Sequence, residues 1–216
     1  MSPAFRLVLA AFLLSIAQIA GISSARAQEG EALFLIAHPA LRDADYRESV
    51  LIVTAAPSGG HVGVILNRPT RRSLGSLFPE HAPSKQVIDP VYFGGPMSSG
   101  ALVALVRGKA KAGEGSVPVT DDLYLAFRAS AIDRVIETEP NSARYFVGYV
   151  GWRPGELKEE IDRGLWSVLD ADPDIVFRKN TERLWEDLLR QTRRLRAGAP
   201  AHRAGALAFS PQASVV

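Results

Sequence analysis

Gly148-Tyr149-Val150-Gly151-Trp152-Arg153-Pro154-Gly155-Glu156-Leu157-Lys158-Glu159-Glu160 is a glycine-punctuated strand that runs straight into an acidic helix start around one tryptophan. Tyr145–Val150 predicts the strand, Pro154 stands where a first helical turn tolerates a missing amide, and Gly164 closes the helix. Upstream, Leu33–Ala37 and Val50–Ala55 are short apolar runs rich in β-formers, and Val62–Leu66 follows the reversing segment Pro57-Ser58-Gly59-Gly60. These predict a strand and then a β-hairpin. Pro69 ends the third strand, Ser73 caps a short helix over Leu74–Phe78 that Pro79 stops, and residues 79–90 read as loop. Val91–Phe93 is a strand broken by Gly94-Gly95-Pro96, and Ala101–Val106 is an apolar run long enough for a strand buried on both faces. Residues 107–116 read as loop, Val117–Val119 and Leu123–Leu125 as edge strands, and Ser130 as the cap of a helix carrying Ile132, Val135 and Ile136. Downstream, Trp166–Leu169 and Ile175–Phe177 read as strands. Asn180 or Thr181 caps a last helix with Leu184, Trp185, Leu188 and Leu189 on one face. The elements alternate without a regular βαβ period or an internal repeat, which predicts an α+β fold rather than a doubly wound sheet.

Three further segments join the opening one in a family pattern: Phe34-Leu35-Ile36-Ala37-His38-Pro39, Val64-Ile65-Leu66-Asn67-Arg68-Pro69 and Phe93-Gly94-Gly95-Pro96. Together they resemble the YqgE/AlgH family, from Leu33 to Gln191. The resemblance implies a single compact α+β domain with a bifurcated mixed sheet closing into a pseudo-barrel and helices on the outside. It also implies that family's customary label of transcriptional regulator. This chain departs from the family pattern twice. It carries Glu156 where glutamine is usual, and Ala55-Ala56-Pro57 where an acid–histidine pair is frequent, leaving His61 beyond the turn.

Residues 1–27 contain no acid, one early cation at Arg6, an apolar stretch from Leu7 to Ile22, and Ala25-Arg26-Ala27 before Gln28. That is the pattern of a cleaved secretory signal peptide, so a periplasmic or secreted protein is expected. The rival reading, a retained membrane anchor, meets an apolar stretch that is too short and is diluted by Ser15, Gln18 and Gly21. Residues 28–191 are expected to form the domain and residues 192–216 a basic, then low-complexity tail. With no cysteine in the chain, disulfides, thiol nucleophiles and thiolate metal sites are excluded, and stability must come from the core. The segment 28–191 holds 19 basic and 23 acidic residues, a net of −4, while four arginines and no acid follow it. Such a body is not expected to bind a phosphate backbone.

The candidate ligand-binding residues are Asn67, Arg68, Gly94, Gly95, Trp152 and Glu156, which stand at polar or glycine-rich strand exits. If the exits converge, Trp152 forms an apolar wall beside Arg68, whose fork suits a carboxylate or phosphate. The bland alternatives are that Asn67 satisfies loop amides, that the glycines serve a tight strand exit, and that Glu156 caps the helix it begins. A hydrolase or transferase using Glu156 or Glu160 with Arg68 is the enzymatic alternative. The histidines His38, His61, His81 and His202 have no metal-ligand spacing. Asp170-Ala171-Asp172-Pro173-Asp174 imitates a calcium loop but lacks its turn glycine and closing glutamate. Neither metal nor cofactor is expected, and the nucleophile-elbow, P-loop and dinucleotide motifs are missing. The expected function is therefore a non-catalytic, exported binding or regulatory module for a small anionic ligand or a protein partner.

Overall fold

The computed structural model describes residues 32–109 and 115–198; the expected signal segment and residues 199–216 of the expected tail lie outside them. The described residues form ten strands: β1 (Leu33–Ala37), β2 (Val50–Ala55), β3 (His61–Ile65), β4 (Pro69–Ser73), β5 (Pro90–Phe93), β6 (Met97–Arg107), β7 (Ser116–Thr120), β8 (Leu123–Ala126), β9 (Ala143–Trp152) and β10 (Trp166–Asp170). With them come the helices α1 (Leu74–Leu77), α2 (Ala129–Thr138), α3 (Glu156–Asp162), α4 (Pro173–Val176) and α5 (Leu184–Gly198). The strands follow the order β10-β1-β2-β3-β9-β6-β8-β7, antiparallel throughout. On its edge away from β6, β9 pairs with β5 in parallel at Phe146 and Val147, then with β3 in antiparallel at Val150–Trp152. The sheet forks there, with β4 and β5 as the side branch. This is the α+β arrangement that the alternation of elements predicts, with the bifurcated sheet that the family resemblance implies.

The curl of the sheet follows from burial on two faces. Phe34, Ile36, Ile52, Val64, Val103, Leu105 and Phe146 point inward into one core, together with Leu184, Leu188 and Leu189 of α5. Outside, α2 covers Ala104, Val106 and Tyr145 with Ile132, Val135 and Ile136. Helix α3 covers Leu35, Leu51, Val53 and Val150 with Leu157. Strands buried on both faces read as continuous apolar runs, which is why β1 and most of β2 do. At the seam of the pseudo-barrel the Thr54 hydroxyl donates to the Pro118 carbonyl at 2.9 Å, joining β2 to β7.

Arg144 of β9 lies fully buried. Its guanidinium donates to the carbonyls of Val176 at 2.7 Å and Arg178 at 3.0 Å, stacks 4.5 Å over Tyr92, and lies 3.6 Å from the Asp89 carboxylate. It thereby satisfies the carbonyls at the end of α4, a segment expected as the strand Ile175–Phe177. Asp172 wins that contest locally: its side chain accepts from the Asp174 amide at 2.9 Å and Pro173 opens the turn, so the β-formers that follow are helical.

Other boundaries move for similar reasons. The polar segment Pro69–Ser73 is strand β4 because it pairs with β5. A 3₁₀ turn over Ala82–Gln86 occupies part of the expected loop. Strand β6 begins at Met97, four residues before the apolar run, because its mostly exposed start still pairs with β9. Helix α2 starts at Ala129 after Arg128, so Ser130 lies inside it. Pro154 stays outside α3, which starts at Glu156 after Gly155 in the left-handed region at φ 86. Helix α5 runs through Gly198, past the boundary expected at Gln191, and buries Thr192.

Candidate functional site

The β3 exit is built around the connection from β1 to β2. The Asn67 amide accepts from the Val50 N–H and donates to the Glu48 carbonyl, both at 2.9 Å. It splints Glu48 in the left-handed region at φ 54, an uncommon conformation for a residue with a Cβ. Arg68 donates from Nη2 to the Arg47 carbonyl at 2.6 Å and is half-buried. Its other N–H groups have no protein partner among the described residues.

Two depressions meet at this pair. One, of about 580 Å³, runs past Asp45, Pro69, Thr70 and Phe93. The other, of about 230 Å³, lies between Arg47, Glu48, Glu182, Trp185 and Glu186. Its Trp185 wall is fixed by the indole N–H donating to the Ala37 carbonyl at 2.9 Å. The Oε2 atom of Glu186 is buried with no hydrogen-bond partner.

Gly94 and Gly95 line neither depression. A Cβ on Gly94 would come within 2.3 Å of the Gly148 carbonyl oxygen, and one on Gly95 within 2.4 Å of the Tyr149 oxygen. Both are pressed against the β9 backbone, so the close approach they permit is between strands.

Trp152 and Glu156 line a third depression, of about 550 Å³, with His61, Met97, Arg153 and Pro154. Arg68 does not line it, so the expected wall of Trp152 beside Arg68 is not formed. Register is the physical reason: Trp152 pairs with His61 at the start of β3, whereas Asn67 and Arg68 follow its other end. Burial lowers the pKa of His61, whose Nδ1 has no partner. The Glu156 carboxylate accepts from the Arg153 amide at 2.9 Å, which, with the nearby Arg153 guanidinium, lowers its pKa. It closes the turn before α3.

Glu160 is also committed. Its Oε2 accepts from the indole N–H of Trp152 at 2.9 Å and of Trp166 at 2.8 Å, fastening α3 to β9 and β10. Tyr46 meets Trp166 edge-on at 6.1 Å, and burial, then Asp43, Asp45 and Glu160, push its phenol up to about 12. Sequence reasoning weighed Glu160 only as an acid; the signal it missed is the pair of tryptophans flanking the helix that carries it. Among the described residues no group of three or more His, Asp or Glu side chains is placed to hold a metal ion, and no helix is long and apolar enough to cross a membrane.

Comparison with known proteins places this geometry. A family model described as AlgH-like matches residues 34–194. A UPF0301 protein of Streptomyces coelicolor is 32% identical over 171 residues, covering 74% of this chain and 84% of its own. Among solved structures, a protein of Corynebacterium diphtheriae superposes with a TM-score of 0.61 at 22% identity, over 75% of this chain and 86% of its own. The solution structure of the AlgH protein from Pseudomonas aeruginosa does so with 0.57 at 23% identity, over 83% and 94%. These two structural likenesses speak for the fold.

Proposed function

Since this chain belongs to the AlgH-like family, we propose that it is an exported, non-catalytic binding module that holds an anionic group of a small ligand or protein partner on Arg68. The observation that carries this reading is the state of that side chain. One N–H is spent on the Arg47 carbonyl, which orients the guanidinium, and the others lie without a protein partner where two depressions meet. A planar fork held in this way suits a carboxylate or phosphate better than a mobile lysine would. The carboxylates that acid–base chemistry would draw on are engaged elsewhere, Glu156 with a backbone amide and Glu160 with two indoles. Export rests on the character of residues 1–27 and, with the net charge of −4 over residues 28–191, weighs against a role on DNA.

Two measurements test the reading. N-terminal sequencing of protein from the periplasmic fraction should begin at Gln28; an uncleaved cytoplasmic product would remove the export claim. Titration with propionate, followed by amide chemical shifts, should perturb residues around Arg68. Arg68→Ala should abolish the response while the melting temperature stays within a few degrees, since the loss of one hydrogen bond to a carbonyl costs about 0.5–1.5 kcal/mol. A large loss of stability with no carboxylate response in the parent protein would make Arg68 a structural arginine.

A further inference from the structure

The smaller depression beside Arg68 carries both signs of charge. Arg47 and Arg68 face Glu48, Glu182 and Glu186 across about 230 Å³. A ligand anion held on Arg68 would meet three carboxylates there, so one that also carries a cation is favoured over a simple anion. The Glu186 oxygen is the more telling feature: it is buried, and no protein group donates to it. A carboxylate oxygen in that state costs free energy unless a donor reaches it. Although Arg68 lines the same depression, its guanidinium donates to the Arg47 carbonyl. The two poles are thus not paired with each other, and Trp185, which lines the same depression, is pinned by its bond to the Ala37 carbonyl.

Resting on the Arg68 reading above, we infer that this depression is a site for a small zwitterion of the α-amino acid type. The ligand carboxylate accepts from Arg68, and its ammonium donates to the carboxylate of Glu186, a residue that lines the depression and is only partly buried. The volume is below the roughly 300–1,000 Å³ usual for drug-sized ligands, so the occupant is small. A side chain can extend past Asn67 and Arg68 into the larger depression, where Phe93 offers an apolar surface. Each bond pairs an ionised donor with an ionised acceptor, the stronger class of hydrogen bond.

Three probes of one carbon skeleton separate the poles: L-alanine, propionate, which lacks the ammonium, and ethylamine, which lacks the carboxylate. Amide chemical shifts of the full-length protein are followed to about 10 mM probe, the weak end of measurable affinity. Alanine should bind at least about tenfold more tightly than either of the others. Glu186→Gln should bring alanine down to the level of propionate without weakening propionate, whereas Arg68→Gln should weaken both. Glu186→Ala serves as a second variant, and melting curves establish that each variant is folded. Propionate binding as tightly as alanine, with both lost in Arg68→Gln, would overturn the zwitterion and leave Arg68 as an anion site. Ethylamine binding as tightly as alanine, indifferent to Arg68→Gln, would overturn both readings. So would the absence of any response to alanine and propionate.

Discussion

At the scale of single residues, one oxygen of Glu160 receives two indole N–H groups whose parent side chains are almost completely buried. Glu160→Leu would strand both donors, at about 1–3 kcal/mol for each buried group left unpaired. Glu160→Gln keeps an amide oxygen as acceptor. We expect a clear drop in urea midpoint and a shifted tryptophan emission for the leucine variant, with most stability retained by the glutamine one. Equal losses would mean that the charge, and not the acceptor, is what matters. His61 offers a pH test. Its folded pKa is lowered by burial, so the unfolded chain binds the proton more readily. The stability this residue contributes is present above the unfolded value of about 6.5 and is lost as pH falls through the folded one. Glu156, also lowered, acts in the same direction at more acidic pH, through its bond to the Arg153 amide. The melting temperature should decline from pH 8 toward pH 5, and His61→Gln should flatten the upper part of that decline. An unchanged slope would show that the ring finds a partner when protonated.

At the scale of elements, the connections are more specified than the strands they join. Gly148 has φ 71, and a Cβ there would lie 2.1 Å from the Gly95 carbonyl oxygen. Gly148→Ala should therefore cost at least about 3 kcal/mol, because backbone on both sides must move. Asn67→Ala removes the splint of the β1–β2 connection and should cost about 1–3 kcal/mol. Glu48→Gly, which relieves the left-handed strain at φ 54, should be neutral or stabilising by up to about 1 kcal/mol in the same denaturation assay. These positions show what could be read from sequence. Leu33–Ala37 and Val50–Ala55 were legible because burial on both faces imposes an unbroken apolar run, and the helix of Ile132, Val135 and Ile136 because burial on one face imposes a period. Pro69–Ser73 was not, since its pairing with β5 is a tertiary fact and its exposed, polar residues carry no pattern. At the candidate site, Asn67, Arg68, Trp152 and Glu156 were recognisable as strand-exit residues. Their distribution over separate depressions follows from register, and Glu186 stayed hidden because only the packing of α5 strips its oxygen of partners.

At the scale of the whole molecule, charge and topology make separate statements. The basic residues after Gln191 begin on the exposed end of α5, at Arg193 and Arg194, while buried Thr192 and the bond from Arg196 to Ser167 keep this turn part of the fold. Any nucleic-acid binding at low salt should thus vanish on replacing Arg193 and Arg194 with glutamine, without loss of stability, and be absent at physiological salt. Sequence-specific binding that survives both conditions would revive a regulatory role on DNA. Topology concerns β9, the strand from which both branches of the sheet depart. Both of its edges are covered, one by β6 and the other by β5 and then β3, so its central amides face no open edge. Those amides should exchange last, at the rate of global opening. A chain severed within β9 would give two fragments, each lacking a partner strand, that regain structure only on being mixed.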